Sequence, residues 1–425
     1  MQIQELYSIF LNHSSIQTDT RKLRQGDLFF ALKGPNFNGN QFAKQALESG
    51  AAYVVVDEPV NFSDERLINM PDVLTALQDL AKYHREQFNI PFIAITGSNG
   101  KTTTKELVHE VLSSTYRTYT TKGNLNNHIG VPLTILSVQQ DAQMAVIEMG
   151  ANHQKEIESY CRYTKPTHGI ITNCGKAHLE GFGGVAGVKK GKGELFDYLR
   201  LNGGTAFIMQ DYDYLREMSQ GIQEVITYGT LNASVTGAAV KEKEFLQVNL
   251  SHENRLQHIH THLVGEYNLP NVLAAIAVGK YFSVDEKNIK NALENYVPSN
   301  SRSQLIEKGT NKIILDAYNA NPTSMRAAIE NFAAMDGQNK VLLLGGMMEL
   351  GEESIAEHSA IINLVDQYNW KSVVLVGGDF AKTPHRYTYF STATEAKDWL
   401  QAQHLENSSL LVKGSRSMQM EKVLE

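Results

Sequence analysis

A lysine and a threonine stand side by side at residues 101 and 102, directly after a glycine-rich turn. The stretch reads AITGSNGKTTTKEL; an apolar run precedes it, and apolar residues recur at helical spacing after it. In a glycine loop that opens a helix, backbone N–H groups converge on phosphate oxygens, and the helix dipole adds partial positive charge. The lysine supplies a charge for the β- and γ-phosphates, and the threonine hydroxyl can bind Mg²⁺. The predicted nucleotide-phosphate loop consists of Gly97, Ser98, Asn99, Gly100, Lys101, Thr102 and Thr103.

Two further groups suit the metal that such a nucleotide carries. Glu148 ends an apolar run in MAVIEMGA, and a carboxylate at the end of a buried strand is costly unless a cation pairs with it. We predict that Glu148 binds Mg²⁺; a structural salt bridge is the alternative. His178, in TNCGKAHLEGFGG, is predicted to face the nucleotide together with the lysines of GVKKGKGELF, among them Lys192.

Other nucleotide-dependent classes lack their markers in this sequence. A guanine-specific switch protein needs Asn-Lys-x-Asp, and the nearest string, at 339–342, reads NKVL. A motor or helicase is compatible with the loop alone, but the other motifs and the formal charge of −7 argue against a nucleic-acid partner. The histidines of HIHTH, at 258–262, could line one strand face, but no fourth ligand is evident. We predict a polar strand face there rather than a zinc site.

Length and composition point to a large cytoplasmic protein. A chain of 425 residues is long for one hydrophobic core, and about three domains are expected. The two cysteines, Cys161 and Cys174, cannot build a disulfide framework, and both are expected to be buried thiols. The N-terminus lacks a secretory pattern, and no apolar run approaches the ~20 residues of a membrane helix. We expect a cytoplasmic monomer without nucleic-acid binding or membrane insertion.

The elements that must position these groups are short apolar strands alternating with helices. Residues 1–87 are predicted to form a small α/β domain. Residues 88–299 are predicted to form a mostly parallel sheet that ends in more polar, antiparallel strands, and residues 300–425 a second, doubly wound sheet. Ligands of such sheets lie beyond the carboxyl ends of the strands. The predicted strands of the two larger domains are 92–96, 144–148, 169–172, 205–209, 312–316, 341–345, 372–377 and 410–412.

Together the motifs resemble those of the Mur ligases, ATP-dependent amide-bond-forming enzymes of bacterial peptidoglycan synthesis. The resemblance implies a UDP-sugar-binding domain, a central ATPase, and a mobile Rossmann-like C-terminal domain that closes over the nucleotide. It also accounts for the position of the first glycine in the phosphate loop, because the family places that glycine where Gly97 stands. The strings that carry the resemblance are DTRKLRQGDLFFALKG, TGSNGKTTTKE, TKGNLNNHIGVPLTIL, IEMGANHQKEI, AHLEGFGG, KGELF, YNLPNVLAAIAVG, DAYNANPTSM, MMELGEES and VKGSRSMQM.

Two of these strings, KGNLNNHIGVP and DAYNANPTS, are specific to the branch that adds D-alanyl-D-alanine to UDP-N-acetylmuramoyl-tripeptide. The resemblance therefore implies that the tripeptide carboxylate becomes an acyl phosphate, which the dipeptide amine attacks to give UDP-MurNAc-pentapeptide, ADP and phosphate. It implies ATP and two Mg²⁺ ions as cofactors. One alternative is the sister ligase that adds the third amino acid, whose Asp-Asn-Pro-Arg string is absent. A nucleotide-binding regulator without ligation is the other.

The resemblance also implies roles for individual residues. Lys101, Glu148, His178 and Lys192 fall on positions of the catalytic centre, with Thr102, Glu148 and His178 on metal positions. Lys192 aligns with a lysine that reacts with CO₂ in several members, which gives a carbamate able to bind a second Mg²⁺. The positions implied for ATP outside the loop are Asn268, Asn271, Arg302 and Asp316. The positions implied for the two substrates are Asp19, Thr20, Arg21, Lys33, Asn126, Asn127, Tyr318, Asn319, Lys413, Ser415 and Arg416.

Overall fold

The computed structural model describes residues 1–13, 15–241, 244–251, 258–299 and 301–425. The N-terminal stretch folds around a parallel sheet of order β1-β2-β5-β6, with a separate β3–β4 hairpin. Phe29 and Val54 pack against α2 on one face, while Phe30 and Val55 belong to the core under α1 and α3. The elements are α1 (Ile3–Asn12), β1 (Ile16–Gln17), β2 (Leu28–Phe30), β3 (Lys33–Gly34), β4 (Phe37–Asn38), α2 (Ala43–Glu48), β5 (Tyr53–Val56), β6 (Leu67–Asn69) and α3 (Val73–Arg85).

A nine-stranded sheet forms the centre of the molecule. Its order is β15-β14-β13-β12-β11-β10-β7-β9-β8, and only the pairings of β14 with β13 and β15 are antiparallel. The strands are β7 (Phe92–Thr96), β8 (Thr118–Thr120), β9 (Met144–Glu148), β10 (His168–Ile171), β11 (Thr205–Met209), β12 (Glu224–Gly229), β13 (Val235–Ala239), β14 (Gln247–Leu250) and β15 (His258–His260). The helices are α4 (Lys101–Ser113), α5 (Gly130–Leu136), α6 (Glu156–Thr164), α7 (Leu179–Phe182), α8 (Val185–Asn202), α9 (Asp213–Met218), α10 (Leu269–Tyr281) and α11 (Glu286–Asn295).

Three of the central strands of this sheet begin and end where the sequence predicted. Strands β7, β9 and β11 match the predicted bounds and every one of their residues is buried, as helices on both faces of a parallel sheet require. Strand β10 lies one residue earlier than predicted. Thr172 has left the strand, and its hydroxyl donates to the carbonyl of Asn99 at 2.6 Å.

Helices α4 and α10 lie side by side beneath the phosphate loop. Helix α10 is rich in small residues and buried along most of its length. At Gly279 a Cβ atom would lie 2.6 Å from the side chain of Val111 on α4, so the glycine permits the close approach. This packing brings the start of α10 next to the start of α4.

The third sheet has six strands in the order β16-β17-β21-β18-β19-β20. The five strands from β17 to β20 in this order pair in parallel. Strand β16 adds an antiparallel edge strand that the sequence did not predict. The elements are β16 (Gln304–Lys308), β17 (Asn311–Asp316), α12 (Pro322–Ala334), β18 (Val341–Gly345), α13 (Ser354–Val365), β19 (Ser372–Val376), β20 (Thr388–Phe390), α14 (Ala393–Ala402) and β21 (Ser409–Lys413). Short 3₁₀ turns include Glu266–Asn268, Gly351–Glu353 and Arg416–Met418.

The predicted fold class is confirmed: three α/β domains, with a mostly parallel sheet in the central domain and a Rossmann-like sheet in the C-terminal domain. The boundaries at 87/88 and 299/300 stay predictions, and Asn300 lies outside the described residues. Both cysteines are buried free thiols. None of the helices in the described ranges is long and apolar enough to cross a membrane. In the HIHTH string, His258 and His260 are exposed on β15, whereas His262 lies beyond the strand and against Phe245.

Candidate active site

A cleft of about 1000 Å³ lies between the central and third sheets. On the central side it is lined by groups at the carboxyl ends of neighbouring strands: the phosphate loop after β7, Glu148 of β9 and Asn173 after β10. Arg302, Asp316 and other residues of the third domain line the opposite wall. Parallel strands place their carboxyl ends on one edge, which explains how residues so far apart in sequence share this cleft.

Glycines give the phosphate loop its shape. Gly97 has a φ of 143°, and a Cβ atom there would lie 2.0 Å from the Thr172 hydroxyl. Gly100 has a φ of 79° and faces the Asn271 amide, which a Cβ atom would approach to 2.6 Å. The Asn99 N–H donates to the Asn173 side chain at 3.1 Å, so β10 supports the loop from its neighbouring strand. The loop residues Ser98 to Thr103 line the cleft.

Lys101 lies folded back along this loop. Its ammonium donates to the carbonyls of Gly97 at 2.8 Å and Ser98 at 3.1 Å. Burial lowers the pKa of Lys101 to about 8; the negative charge of Glu148 opposes the shift, and the positive charge of Arg302 adds to it. A cation held in this way gains most from an anion that enters the cleft.

Glu148 has the unsatisfied oxygen that a metal site requires. One carboxylate oxygen accepts from the Thr102 hydroxyl at 3.1 Å and from the Asn126 amide at 2.7 Å. The other oxygen is buried without a hydrogen-bond partner. A buried carboxylate oxygen without a partner is costly, and a cation would satisfy it. Thr102 and Glu148 therefore fit Mg²⁺, which typically takes one or two carboxylates and completes its shell with phosphate and water.

Within the described ranges, no group of three or more His, Cys, Asp or Glu side chains is arranged to hold a metal. Lys192, which was predicted to bind a second Mg²⁺ as a carbamate, is fully buried behind the cleft. Its ammonium donates to the Ala151 carbonyl at 2.9 Å and lies 4.8 Å from the centre of the Phe182 ring. Burial, and then the charge of Lys101, lower the pKa of Lys192 well below its usual value. Its neighbours Lys189 and Lys190 are exposed.

His178 lines the cleft at the start of α7. Its Nδ1 contacts the carboxylate of Glu349, which comes from the third domain. The sequence indicated His178 but gave Glu349 no role, although Glu349 belongs to the MMELGEES string. Its partner could not be inferred because 171 residues separate the two.

The residues predicted for the nucleoside also come together at the cleft. Asn271 donates to the Asn268 side chain at 2.9 Å and accepts from the Thr104 hydroxyl at 3.0 Å. Across the cleft, the guanidinium of Arg302 stacks 3.6 Å over the ring of Tyr318, and its Nε is buried without a partner. A cation with an unused donor at this point is suited to a phosphate oxygen.

The C-terminal residues predicted for the dipeptide lie in different surroundings. Lys413 lines the cleft, but it is buried and forms an ion pair with Asp316. Ser415 donates to the Ala320 carbonyl at 3.1 Å and lies behind the cleft wall. Arg416 is exposed and paired with Glu421. Asn126, Asn127, Tyr318 and Asn319 do line the cleft.

The residues predicted for the UDP moiety lie in the N-terminal domain, outside this cleft. Arg21 makes two bonds of 2.8 Å to the Asp19 carboxylate, and Thr20 lies between them in a 3₁₀ turn. Lys33 pairs with Asp57 at 3.2 Å. Among the cleft residues that the sequence did not indicate are Asn173 and Asn321; Asn173 directly follows a predicted strand, which is the signal that could have found it.

The fold and the cleft define a three-part nucleotide enzyme with a phosphate loop at its centre. Three family models match the chain: "Mur ligase family, catalytic domain" at residues 12–87, "Mur ligase middle domain" at 95–279 and "Mur ligase, glutamate ligase domain" at 301–416. The chain belongs to the Mur ligase family. It is an ATP-dependent peptide ligase.

Named relatives align along nearly the whole chain. The UDP-N-acetylmuramoyl-tripeptide–D-alanyl-D-alanine ligase of Escherichia coli is 36% identical over 99% of this chain and 95% of its own length. The ligase of the same name from Bacillus subtilis is 35% identical over 96% and 92%. A crystal structure of MurF from Acinetobacter baumannii superposes with a TM-score of 0.87 at 32% identity, covering 96% of this chain and 92% of that one.

Proposed function

We propose that this protein joins D-alanyl-D-alanine to UDP-N-acetylmuramoyl-tripeptide at the expense of ATP, in peptidoglycan synthesis. The relatives that carry this activity in their names span almost all of the chain. Within the structure, the observation that carries the proposal is the unpartnered Glu148 oxygen, which lies beside Thr102 at the base of the phosphate loop. This arrangement favours the binding of a metal-bound nucleoside triphosphate.

In the proposed reaction the tripeptide carboxylate attacks the γ-phosphorus of ATP, and ADP leaves. The backbone N–H groups of the loop and the Lys101 ammonium stabilise charge on the transferred phosphoryl group, a task of positioning and electrostatics. Glu148 and Thr102 would hold Mg²⁺, which supplies positive charge at the phosphates. Asn268 and Asn271 bind the adenine of ATP. Arg302, from the third domain, binds one of its phosphates.

The resulting acyl phosphate then reacts with the amine of the dipeptide. The C–N bond forms at the acyl carbon, phosphate leaves with the C–O electron pair, and the amine loses a proton. Tyr318 and Asn319 line the cleft on the side of the third domain. Exclusion of water there protects the acyl phosphate from hydrolysis.

A carbamate on Lys192 is part of this proposal. Only a neutral amine reacts with CO₂, and burial, which lowers the pKa of Lys192 well below its usual value, shifts the amine toward that form. Glu156 and Glu194 favour the ammonium form of Lys192, but burial, and then the charge of Lys101, act more strongly against it and lower its pKa. The carbamate would carry negative charge and could bind a second Mg²⁺ beside Lys101.

The remaining roles follow the three domains, which we place at residues 1–87, 88–299 and 300–425. Asp19, Thr20, Arg21 and Lys33 would bind the UDP moiety in the first domain. Asn126 and Asn127 would contact the tripeptide, and the segment of Lys413, Ser415 and Arg416 the dipeptide. We place the enzyme in the cytoplasm as a monomer.

The test is phosphate release from ATP with UDP-muramoyl-tripeptide, in the presence and absence of D-alanyl-D-alanine. Release that requires both substrates, together with a pentapeptide product by mass spectrometry, would support the proposal. Lys101→Ala, checked by circular dichroism for an intact fold, is expected to release no phosphate. Release that instead requires the dipeptide precursor and a free diamino acid would identify the sister ligase.

A further inference from the structure

Glu349 is an acidic residue with a strained backbone and no role in the reaction described so far. It follows β18 in the MMELGEES string and precedes the 3₁₀ turn at Gly351–Glu353. Its φ is 63°, in the left-handed region that residues other than glycine seldom adopt. Such a conformation costs energy and persists where surrounding contacts impose it.

Those contacts come from the central domain. The Glu349 carboxylate meets Nδ1 of His178, and the Glu349 carbonyl accepts from the N–H of Glu180 at 3.4 Å. His178 also has a positive φ, of 52°. A Cβ atom at Gly351 would lie 3.4 Å from the Glu180 side chain. The Glu349 segment therefore contacts the His178–Glu180 segment through both backbone and side-chain atoms. Two surface side chains that merely lie close together would not make the backbone contact.

The carboxylate decides which nitrogen of His178 is available. Among the described residues, Glu349 is the only hydrogen-bond partner of the ring, and the central domain supplies none. Because an ionised carboxylate accepts but does not donate, Nδ1 carries the hydrogen. When the ring is neutral, its lone pair is therefore on Nε2. His178 lines the cleft, whereas Glu349 lies behind it.

We propose that Glu349 is a positioning residue of this ligase: the third domain brings its carboxylate to Nδ1 of His178, so that Nε2 presents a lone pair to the Mg²⁺-nucleotide. The proposal rests on the proposed function for the metal role of His178. A carboxylate on the far nitrogen of a metal-binding histidine orients the ring and raises its basicity. Because the carboxylate belongs to another domain, docking of that domain also prepares His178.

The first test measures the tautomer of the His178 ring directly. The full chain is labelled with ¹⁵N-histidine and mixed with Mg²⁺ and a non-hydrolysable ATP analogue, and His178→Asn identifies the signal. We expect the Nδ1–H tautomer in the wild type and a mixture of tautomers in Glu349→Ala. The same tautomer in both proteins would overturn the proposal.

The second test is kinetic. Glu349→Ala is expected to lower kcat about 10- to 100-fold and to raise the Mg²⁺ concentration for half-maximal rate, with the KM for the dipeptide unchanged. Glu349→Gln should keep more activity because its amide oxygen still accepts a hydrogen bond. Glu352→Ala, an exposed acid in the same loop, is the matched control and should behave as the wild type. Unchanged Mg²⁺ dependence in Glu349→Ala would overturn the proposal.

Glu349→Gly distinguishes the effect of the carboxylate from that of the backbone conformation, since glycine adopts the positive φ without strain. It should lose as much activity as Glu349→Ala. Full activity in Glu349→Gly would show that backbone shape, and not the carboxylate, matters, and would overturn the proposal. If the wild type makes no pentapeptide, the proposed function fails, while the tautomer measurement still decides the role of Glu349.

Discussion

At the scale of single residues, two lysines in and behind the cleft have ammonium groups whose charge depends on their surroundings. Lys101 and Lys192 both have lowered pKa values because burial removes water from their ammonium groups. Each lowered pKa has a different consequence. Bound phosphate would keep Lys101 charged above pH 8, whereas the neutral form of Lys192 would be a nucleophile toward CO₂.

Lys101 should make ATP binding depend on pH. Its pKa is about 8 in the protein alone, and bound phosphates favour the charged form, so binding above pH 8 must take up a proton. We expect the KM for ATP to rise above pH 8, by up to about tenfold per unit because one proton is linked to binding. Lys101→Arg keeps its charge and should show a flatter profile. Parallel profiles for the two proteins would contradict this assignment.

Lys192 should carry a carbamate. We expect enzyme prepared without CO₂ to gain activity when bicarbonate is added, and ¹³C-bicarbonate to give a carbamate signal by NMR. Lys192→Ala should lose most activity and the signal, because the pKa that favours reaction belongs to this buried amine. Lys190→Ala, exposed on the same helix, should keep both. An identical ¹³C signal in Lys192→Ala would place the carbamate elsewhere.

At the scale of elements, the phosphate loop depends on the strand beside it. Thr172 and Asn173 follow β10 and hold Asn99 by its carbonyl and its N–H. The glycines of the loop leave room for this support. The motif of glycines and lysine therefore accounts for the sequence of the loop, but residues after the neighbouring strand β10 supply the hydrogen bonds that support it.

Gly97→Ala should destroy this support. The new Cβ atom would lie 2.0 Å from the Thr172 hydroxyl, at a φ that alanine rarely adopts. We expect a loss of about 1–3 kcal/mol in unfolding free energy, measured by urea denaturation, and a raised KM for ATP. Gly309→Ala is the control, since Gly309 also has a positive φ but nothing within 4 Å of its Cβ position. Equal losses in both would mean that backbone strain alone is responsible.

At the scale of the whole molecule, polar contacts join the central and third domains across the cleft. Asn321 donates to the side chain of Asn99 at 2.7 Å, within the phosphate loop. The Lys176 N–H donates to Thr323 at 3.0 Å, and the Lys176 ammonium pairs with Glu357. The third domain thus touches the loop that follows β7 and the loop that follows β10.

The Lys176–Glu357 ion pair should favour this docked arrangement. Because Lys176 is half exposed, we expect about 0.2–1 kcal/mol, so Lys176→Glu should weaken docking severalfold. Interdomain fluorescence transfer would report the change, and ATP hydrolysis without ligation should increase as water enters. The double variant Lys176→Glu/Glu357→Lys should restore both readouts. Failure of the swap to restore docking would assign the effect to Thr323 and the backbone.

Sequence alone determined much about this protein. The phosphate loop, Glu148 and the central strands were predicted because each depends on local pattern: apolar runs form buried strands, and glycines before a lysine form a loop at a helix start. The family was also inferred from motifs that occur in the family's order along the chain. The edge strand β16 was missed, since its residues are only partly buried and show little apolar signal.

Only the tertiary structure decided which groups meet. Nothing local in the sequence pairs His178 with Glu349, Lys413 with Asp316 or Thr172 with the phosphate loop. These contacts depend on strand order and on how the third sheet docks, which bring together residues tens to hundreds of positions apart. Burial, and with it the pKa of Lys101 and Lys192, follows from the same packing, because desolvation is a property of the assembled interior and not of a residue's neighbours in sequence.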